Sequence, residues 1–279
     1  MNSSLDDLTD RQRREQDFHR DFAAKHAALV TEPVTMDVVE DTDRRWWNAY
    51  WSMYDRILSS GLAGKRVLIP GCGFGTDAIR IARLGAAVAA FDISPEIIEI
   101  AGHRGRHHGL PDIEFGVMTA EKLLYPDDHF DAVVFVDILH HVDIGRTMQE
   151  IRRVLKPGGL VIGNELYTHS RLQALRETGF VARQLYPRMR RYIYGTDTPY
   201  ITADEHKINE AEFRLVSDSL TDSDIDYFGC FEGRLFPNRI AWASRLDRRF
   251  MRAAAPIAAT LGSRVVFRGR IRKVVAHPA

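Results

Sequence analysis

The sequence predicts an α/β protein: an open, doubly wound sheet of mainly parallel strands, with an extra helix on its N-terminal side and a C-terminal cap. Three observations lead there. From Lys65 onward short β-type apolar runs alternate with stretches of helical period, the pattern of βαβ units. The first run passes straight into Gly71-Cys72-Gly73-Phe74-Gly75 and then a helix. The second ends on an acid, Asp92, 17 residues after Gly75.

The chain has 279 residues, room for one large domain with a continuous core. Its 38 basic and 38 acidic side chains cancel, which argues against an electrostatic coat on nucleic acid. The total hides an imbalance, because Gly233 to Lys273 holds 11 Lys/Arg against one acid, Asp247. The two cysteines, Cys72 and Cys230, lie far apart in different contexts, so no disulfide framework is expected. The opening residues lack a signal-peptide core and no run approaches the ~18 apolar residues of a membrane span. The expected setting is cytoplasmic.

Residues 1–43 are polar and charged, with a weak helical period from Leu8 to Ala28, and read as a leading arm. Trp47, Tyr50, Trp51 and Tyr54 mark one face of a helix ending near Gly61. That stripe is expected to pack on the main body; the competing reading makes it a lid over a ligand site. Strands are expected at Arg66–Pro70, Ala87–Ile93, Ile113–Met118, Phe130–Asp137 and Gly159–Asn164, with helices at Asp77–Leu84, Pro95–His107 and Arg146–Leu155. Pro157-Gly158-Gly159 reads as a turn before the fifth strand. Two more strands are expected at Ile225–Phe231 and Arg264–Arg272. The chain thus divides into the arm, a ligand-binding core (44–165), a Tyr/Arg-rich segment suited to capping a substrate (166–213), and C-terminal strands with an inserted basic helix (214–279) in the same domain.

Glycines after the first strand let a ligand approach main-chain amides at a helix N-terminus. An acid at the tip of the second strand suits the vicinal hydroxyls of a ribose. The bland alternative is that Asp92 caps the next helix, which Ser94 does equally well. Gly73, Gly75 and Ala78 also satisfy the dinucleotide fingerprint, so a nicotinamide-dependent oxidoreductase stays open at this point.

Further blocks separate the two adenosine-binding readings. Val67-Leu68-Ile69-Pro70-Gly71-Cys72-Gly73-Phe74-Gly75 is followed by Phe91-Asp92-Ile93-Ser94-Pro95. Next come Ala120-Glu121-Lys122-Leu123 and Pro126-Asp127-Asp128-His129-Phe130-Asp131, then Leu139-His140-His141-Val142, then Glu150-Ile151-Arg152-Arg153-Val154-Leu155-Lys156-Pro157-Gly158-Gly159. Together they resemble the class I S-adenosylmethionine-dependent methyltransferases, most closely the small-molecule branch with the ubiquinone and menaquinone enzymes. The resemblance covers about residues 63–165 and implies a seven-stranded Rossmann-like sheet with S-adenosylmethionine as cofactor. It implies that Gly71, Cys72, Gly73 and Gly75 hold the methionine end, that Asp92 holds the ribose with Ile93 beside the adenine, and that Thr119, Ala120 and Glu121 flank the adenine. Asp137, ending the fourth strand, joins that cofactor set. The chain departs from the family pattern at Ile69 and Thr119, where acids are usual.

An activated methyl chiefly needs alignment with its acceptor, and a hydroxyl acceptor also needs its proton removed. His140 and His141 follow the fourth strand, at the sheet edge where ligands bind. Of the two, His140 is expected to be the base and His141 to brace the loop. Asp137, Asn164 and Glu165 end adjacent strands, which leaves Mg²⁺ open as a second cofactor on position alone. The fourth strand lacks the Asn/Asp-Pro-Pro-aromatic turn of enzymes that methylate bases, so nucleic acid is not the expected acceptor. In Asn238–Ala254, Trp242, Leu246 and Phe250 form an apolar stripe with Arg245, Arg248, Arg249 and Arg252 on another side. The stripe is expected to dock on the sheet or on a second copy, giving a homo-oligomer; contact with an anionic membrane or a lipid-linked acceptor is the alternative. The sequence therefore predicts methyl transfer to a small-molecule hydroxyl. A nicotinamide oxidoreductase and a cofactor-binding partner without turnover are the competing readings.

Overall fold

A computed structural model describes residues 8–185, 192, 207–237 and 240–273. Three helices, α1 (Asp10–Lys25), α2 (Asp37–Glu40) and α3 (Ala49–Ser59), precede the sheet. Then come β1 (Arg66–Pro70), α4 (Thr76–Arg83), β2 (Ala87–Asp92), α5 (Pro95–His107), β3 (Glu114–Val117) and β4 (Phe130–Val136). They are followed by α6 (Ile144–Val154), β5 (Leu155–Leu166), α7 (Ser170–Arg176), α8 (Glu210–Ser217) and β6 (Leu220–Phe228). The last described elements are α9 (Ala241–Ala253), α10 (Ala258–Leu261) and β7 (Arg264–Ile271).

The seven strands run in the order β3-β2-β1-β4-β5-β7-β6. The first five are parallel, and β7 enters antiparallel to both neighbours. Successive side chains of a strand point to opposite faces, so β1 sends Leu68 into one apolar layer and Val67 and Ile69 into the other. Both faces are covered, which is why the strands read as continuous apolar runs.

Local signals account for the element ends. Ser94 accepts the Ile97 N–H at 3.3 Å and Pro95 opens α5 with a preset φ, so that helix starts where expected. The Pro157-Gly158-Gly159 turn lies inside β5: pairing jumps from Phe130–Leu155 to Ala132–Leu160, and Gly158 takes φ +68. It is a bulge within the strand, where a separate turn was expected.

Docking of the α9 stripe on the sheet is corrected. The stripe of α9 faces outward, with Trp242 69%, Leu246 54% and Phe250 42% exposed, while Ala243, Ser244, Asp247, Arg248 and Met251 are buried. The two inward charged groups are matched. Asp247 accepts the Phe231 N–H, and Arg248 pairs with Asp226 at 2.9 Å, donates to the carbonyls of Trp46 and Tyr227, and lies over Phe228. Asn238 and Arg239 lie outside the described residues. In the 166–213 segment Tyr167 is a core residue among Phe213, Tyr227 and the sheet. Tyr186, Tyr194, Tyr200, Arg188, Arg190 and Arg191 lie outside the described residues. By contrast Trp47, Trp51 and Tyr54 are buried against the body, where both Tyr50 and Tyr54 hydroxyls donate to Asp77 at 2.5 Å.

Candidate cofactor and acceptor site

A cavity of about 190 Å³ opens at the carboxyl ends of β1, β2 and β4, where the strand order reverses. Gly71, Gly73, Asp92, Ile93, Thr119, Ala120, Glu121, Asp137 and His141 line it, as the sequence anticipates. Cys72, Gly75 and His140 are not among the lining residues.

The glycine turn is shaped from both sides. Gly71 has φ +59, and a Cβ there would come within 2.4 Å of Ile138 Cδ1. Gly73 has φ +50 and open space where a Cβ would stand, which leaves room for a ligand to approach the backbone. Gly75 caps α4 in a left-handed conformation and packs against Phe115, a structural role. The Cys72 backbone N–H donates to the Phe91 carbonyl at 2.9 Å, and burial, with the Asp92 charge, pushes its thiol pKa up, which disfavours the thiolate.

Asp92 is buried, with one oxygen accepting the Gly73 N–H at 3.1 Å and the other the Ser94 N–H at 3.2 Å. The cap of α5 is Ser94, so Asp92 is left to face the cavity. Glu121 accepts from Gln12 at 3.1 Å and from the Asp143 N–H at 2.9 Å.

The two histidines are placed differently. His140 is 3% exposed and donates from Nδ1 to Glu165 Oε1 at 2.5 Å. Glu165 also accepts the backbone N–H groups of Ile138, Leu139 and Leu166, so the pair braces the turn after β4. His141 is the one that lines the cavity, with Nδ1 3.1 Å from Glu15 Oε1.

The oxygens considered for Mg²⁺ are engaged by protein cations. Arg264 Nη1 and Nη2 reach the two oxygens of Asp137 at 2.8 and 3.0 Å, and Nη1 also reaches Asn164 at 3.1 Å. Burial alone would lower the Arg264 pKa, but Asp137, then Glu165 and Glu232, raise it. With Glu165 committed to His140, no cluster of metal-ligating groups is present among the described residues. The arrangement gives the positional case for Mg²⁺ no support.

Sequence reasoning missed the roof. Gln12, Glu15 and His19 of α1 line the cavity from above. Burial lowers the His19 pKa, yet the Glu15 hydrogen bond and the Asp92 and Glu15 charges outweigh it and raise the value. The available signal was a polar face at helical spacing, which an apolar-moment search passes over. Glu15, Asp92, Glu121 and Asp137 make the lining strongly acidic. Such a lining suits a ligand with a positive sulfonium and ammonium and repels the pyrophosphate of a dinucleotide. The open cradle at Gly73 and the carboxylate of Asp92 fit S-adenosylmethionine.

Comparison with known proteins agrees. Residues 68–163 match the family described as a methyltransferase domain. Ubiquinone biosynthesis O-methyltransferase of Methylocella silvestris is 34% identical over 135 residues, 48% of this chain and 52% of that protein. Demethylmenaquinone methyltransferase of Tropheryma whipplei is 31% identical over 174 residues, 60% of this chain and 71% of that protein. The solved geranyl diphosphate C-methyltransferase from Streptomyces coelicolor A3(2) shares the fold with a TM-score of 0.55 at 15% identity, covering 96% of this chain and 99% of that one. The chain spans about half the length of several curated relatives it matches. It belongs to the class I S-adenosylmethionine-dependent methyltransferases, in the small-molecule branch. The nicotinamide alternative is set aside.

Proposed function

We propose that this chain catalyses methyl transfer from S-adenosylmethionine to the hydroxyl of a small molecule, with a phenol or quinol of the kind its relatives' names imply as the first acceptor to try. The observation that carries the reading is the placement of His141 in the same acid-lined cavity as Asp92. When bound, S-adenosylmethionine supplies a methyl already activated on a positive sulfur. Asp92 takes the ribose hydroxyls, and the turn at Gly71 and Gly73 admits the methionine end. Asp137, held by Arg264, and Glu121 surround the positive charge. His141 accepts the acceptor's hydroxyl proton as the oxygen–methyl bond forms. The carbon–sulfur pair stays on sulfur and the sulfonium charge is discharged, so charge balances with one proton left on the imidazole. His140 holds the turn through Glu165 and does not touch the acceptor.

Calorimetry with S-adenosylhomocysteine and NAD tests the cofactor; binding of NAD without S-adenosylhomocysteine overturns the reading. A screen of phenolic acceptors tests the hydroxyl, and transfer only to carbon or nitrogen overturns that part. Tight S-adenosylhomocysteine binding with no turnover on any acceptor class favours a non-catalytic partner. The outward Trp242, Leu246 and Phe250, beside Arg249 and Arg252, support a second reading in which the acceptor is drawn from an anionic bilayer. Equal sedimentation with neutral and anionic liposomes counts against it. No helix among the described residues is long and apolar enough to cross a membrane.

A further inference from the structure

Helix α1 sits on the cofactor cleft by its polar side. Gln12, Glu15, Gln16 and His19 share one helical face, and each engages the cleft. Gln12 donates to Glu121 at 3.1 Å and Gln16 to the Ile93 carbonyl at 3.0 Å, while Glu15 meets His141 and His19 lines the cavity near Asp92. Arg11 donates to the His141 carbonyl. Within the helix only Glu15 and Ala23 are buried, and its aromatic anchor is Phe22 stacked on Phe74 at 5.6 Å. A helix held this way lacks the apolar face that makes docking permanent. Every polar contact it makes has a water-bonded equivalent when it lifts away. Its capping box, Thr9 with Gln12, secures the first turn, but a 16-residue helix lifted off the body is marginal in water, so its amides exchange when it opens.

The same contacts bear on the base. Among the described residues, Glu15 is the only hydrogen-bond partner of the His141 ring. A carboxylate on one ring nitrogen fixes the proton there and leaves the other nitrogen as the free acceptor. We propose that α1 is a reversible lid over the cofactor and that its Glu15 is a positioning residue, which sets His141 in the Nδ1–H tautomer only when the lid is seated. The cofactor site and the base are then completed by one movement, so His141 is poised to take a proton only over a closed cleft. This rests on the reading of His141 as the base.

Two measurements on the full-length protein test it, and neither needs an acceptor. Ring ¹⁵N shifts of His141 are expected to report the Nδ1–H tautomer in the wild type and to move toward the Nε2–H form in Glu15→Ala. Hydrogen exchange across residues 12–23 of the wild type is expected to slow about 100-fold when S-adenosylhomocysteine is present at ~100 times its Kd. Gln16→Ala, which leaves His141 untouched, is expected to speed that exchange without ligand. An unchanged His141 tautomer in a folded Glu15→Ala protein overturns the positioning role, and exchange that ignores S-adenosylhomocysteine overturns the lid. Full methyl transfer by His141→Ala, with both measurements as expected, removes the base reading and leaves the lid standing.

Discussion

Arg264 grips both carboxylate oxygens of Asp137, at 2.8 and 3.0 Å, across 127 residues of chain. Asp137 stands at φ +50, a conformation uncommon outside glycine, at the end of the central strand β4. The guanidinium fork thus fixes both the charge and the strained backbone at the floor of the cofactor cleft. Arg264→Leu leaves the carboxylate unpaired beside Glu165 and is expected to cost about 1–3 kcal/mol in urea unfolding. Arg264→Lys keeps the charge but not the fork and should recover only part of that loss.

Because Asp137 and Glu165 are committed to Arg264 and His140, chelation should leave the protein indifferent. S-adenosylhomocysteine affinity measured by calorimetry is expected to be the same in EDTA and in millimolar Mg²⁺. A marked loss in EDTA would show that a metal displaces Arg264.

The glycines separate folding from binding. Gly71→Ala drives a Cβ to 2.4 Å from Ile138 in a left-handed backbone, so it should lower stability by about 1–3 kcal/mol. Gly73→Ala meets no atom within 4 Å, and its stability loss should stay near the ~1 kcal/mol of the left-handed backbone itself. Its added methyl enters the ligand's space, so its main effect should be weaker S-adenosylhomocysteine binding. Equal effects of both substitutions on stability would contradict the geometry.

Asp92→Ala should weaken S-adenosylhomocysteine by about 1–3 kcal/mol, the worth of buried hydrogen bonds to a charged acceptor. The same change frees the Gly73 and Ser94 N–H groups, so thermal unfolding must be followed alongside. Binding that survives in a folded variant would remove the ribose assignment.

Acid should loosen the joint between α7 and α8. Burial opposes ionisation of Glu210, yet the Ser170 hydroxyl and N–H hold its carboxyl down at about 2, against an ordinary 4.5. Its folded pKa lies below the unfolded one, so the stabilisation is complete above about pH 4.5 and is lost as pH falls toward 2. Solvent exposure keeps the amount to roughly 1 kcal/mol. The stability gap between wild type and Glu210→Gln should be constant near neutrality and close as the pH approaches 2.

What the sequence made legible was local. Strand β1, its glycine turn and the Ser94-Pro95 start of α5 are each written within a few consecutive residues, and much of the cavity lining follows from them. The Asp137–Arg264 pair joins residues that only the finished sheet brings together, so no spacing announces it. The seat of α1 escaped because its working face is polar. The side of α9 that meets the sheet is not legible from a helical wheel, which would turn Trp242, Leu246 and Phe250 inward, whereas the paired Asp247 and Arg248 take that side. The order of His140 and His141 turns on Glu165, one strand away and buried, whose hold on His140 is set by tertiary packing alone.

The placement of β7 between β5 and β6 carries a consequence for how the molecule is made. Strand β6 is synthesised before β7 yet borders only β7 in the sheet, so it has no sheet partner until β7 has been made. Arg264, at the start of that strand, reaches Asp137 at the same moment. The parallel half can therefore assemble before β7 exists, while the floor of the cleft is locked only once β7 has entered between β5 and β6.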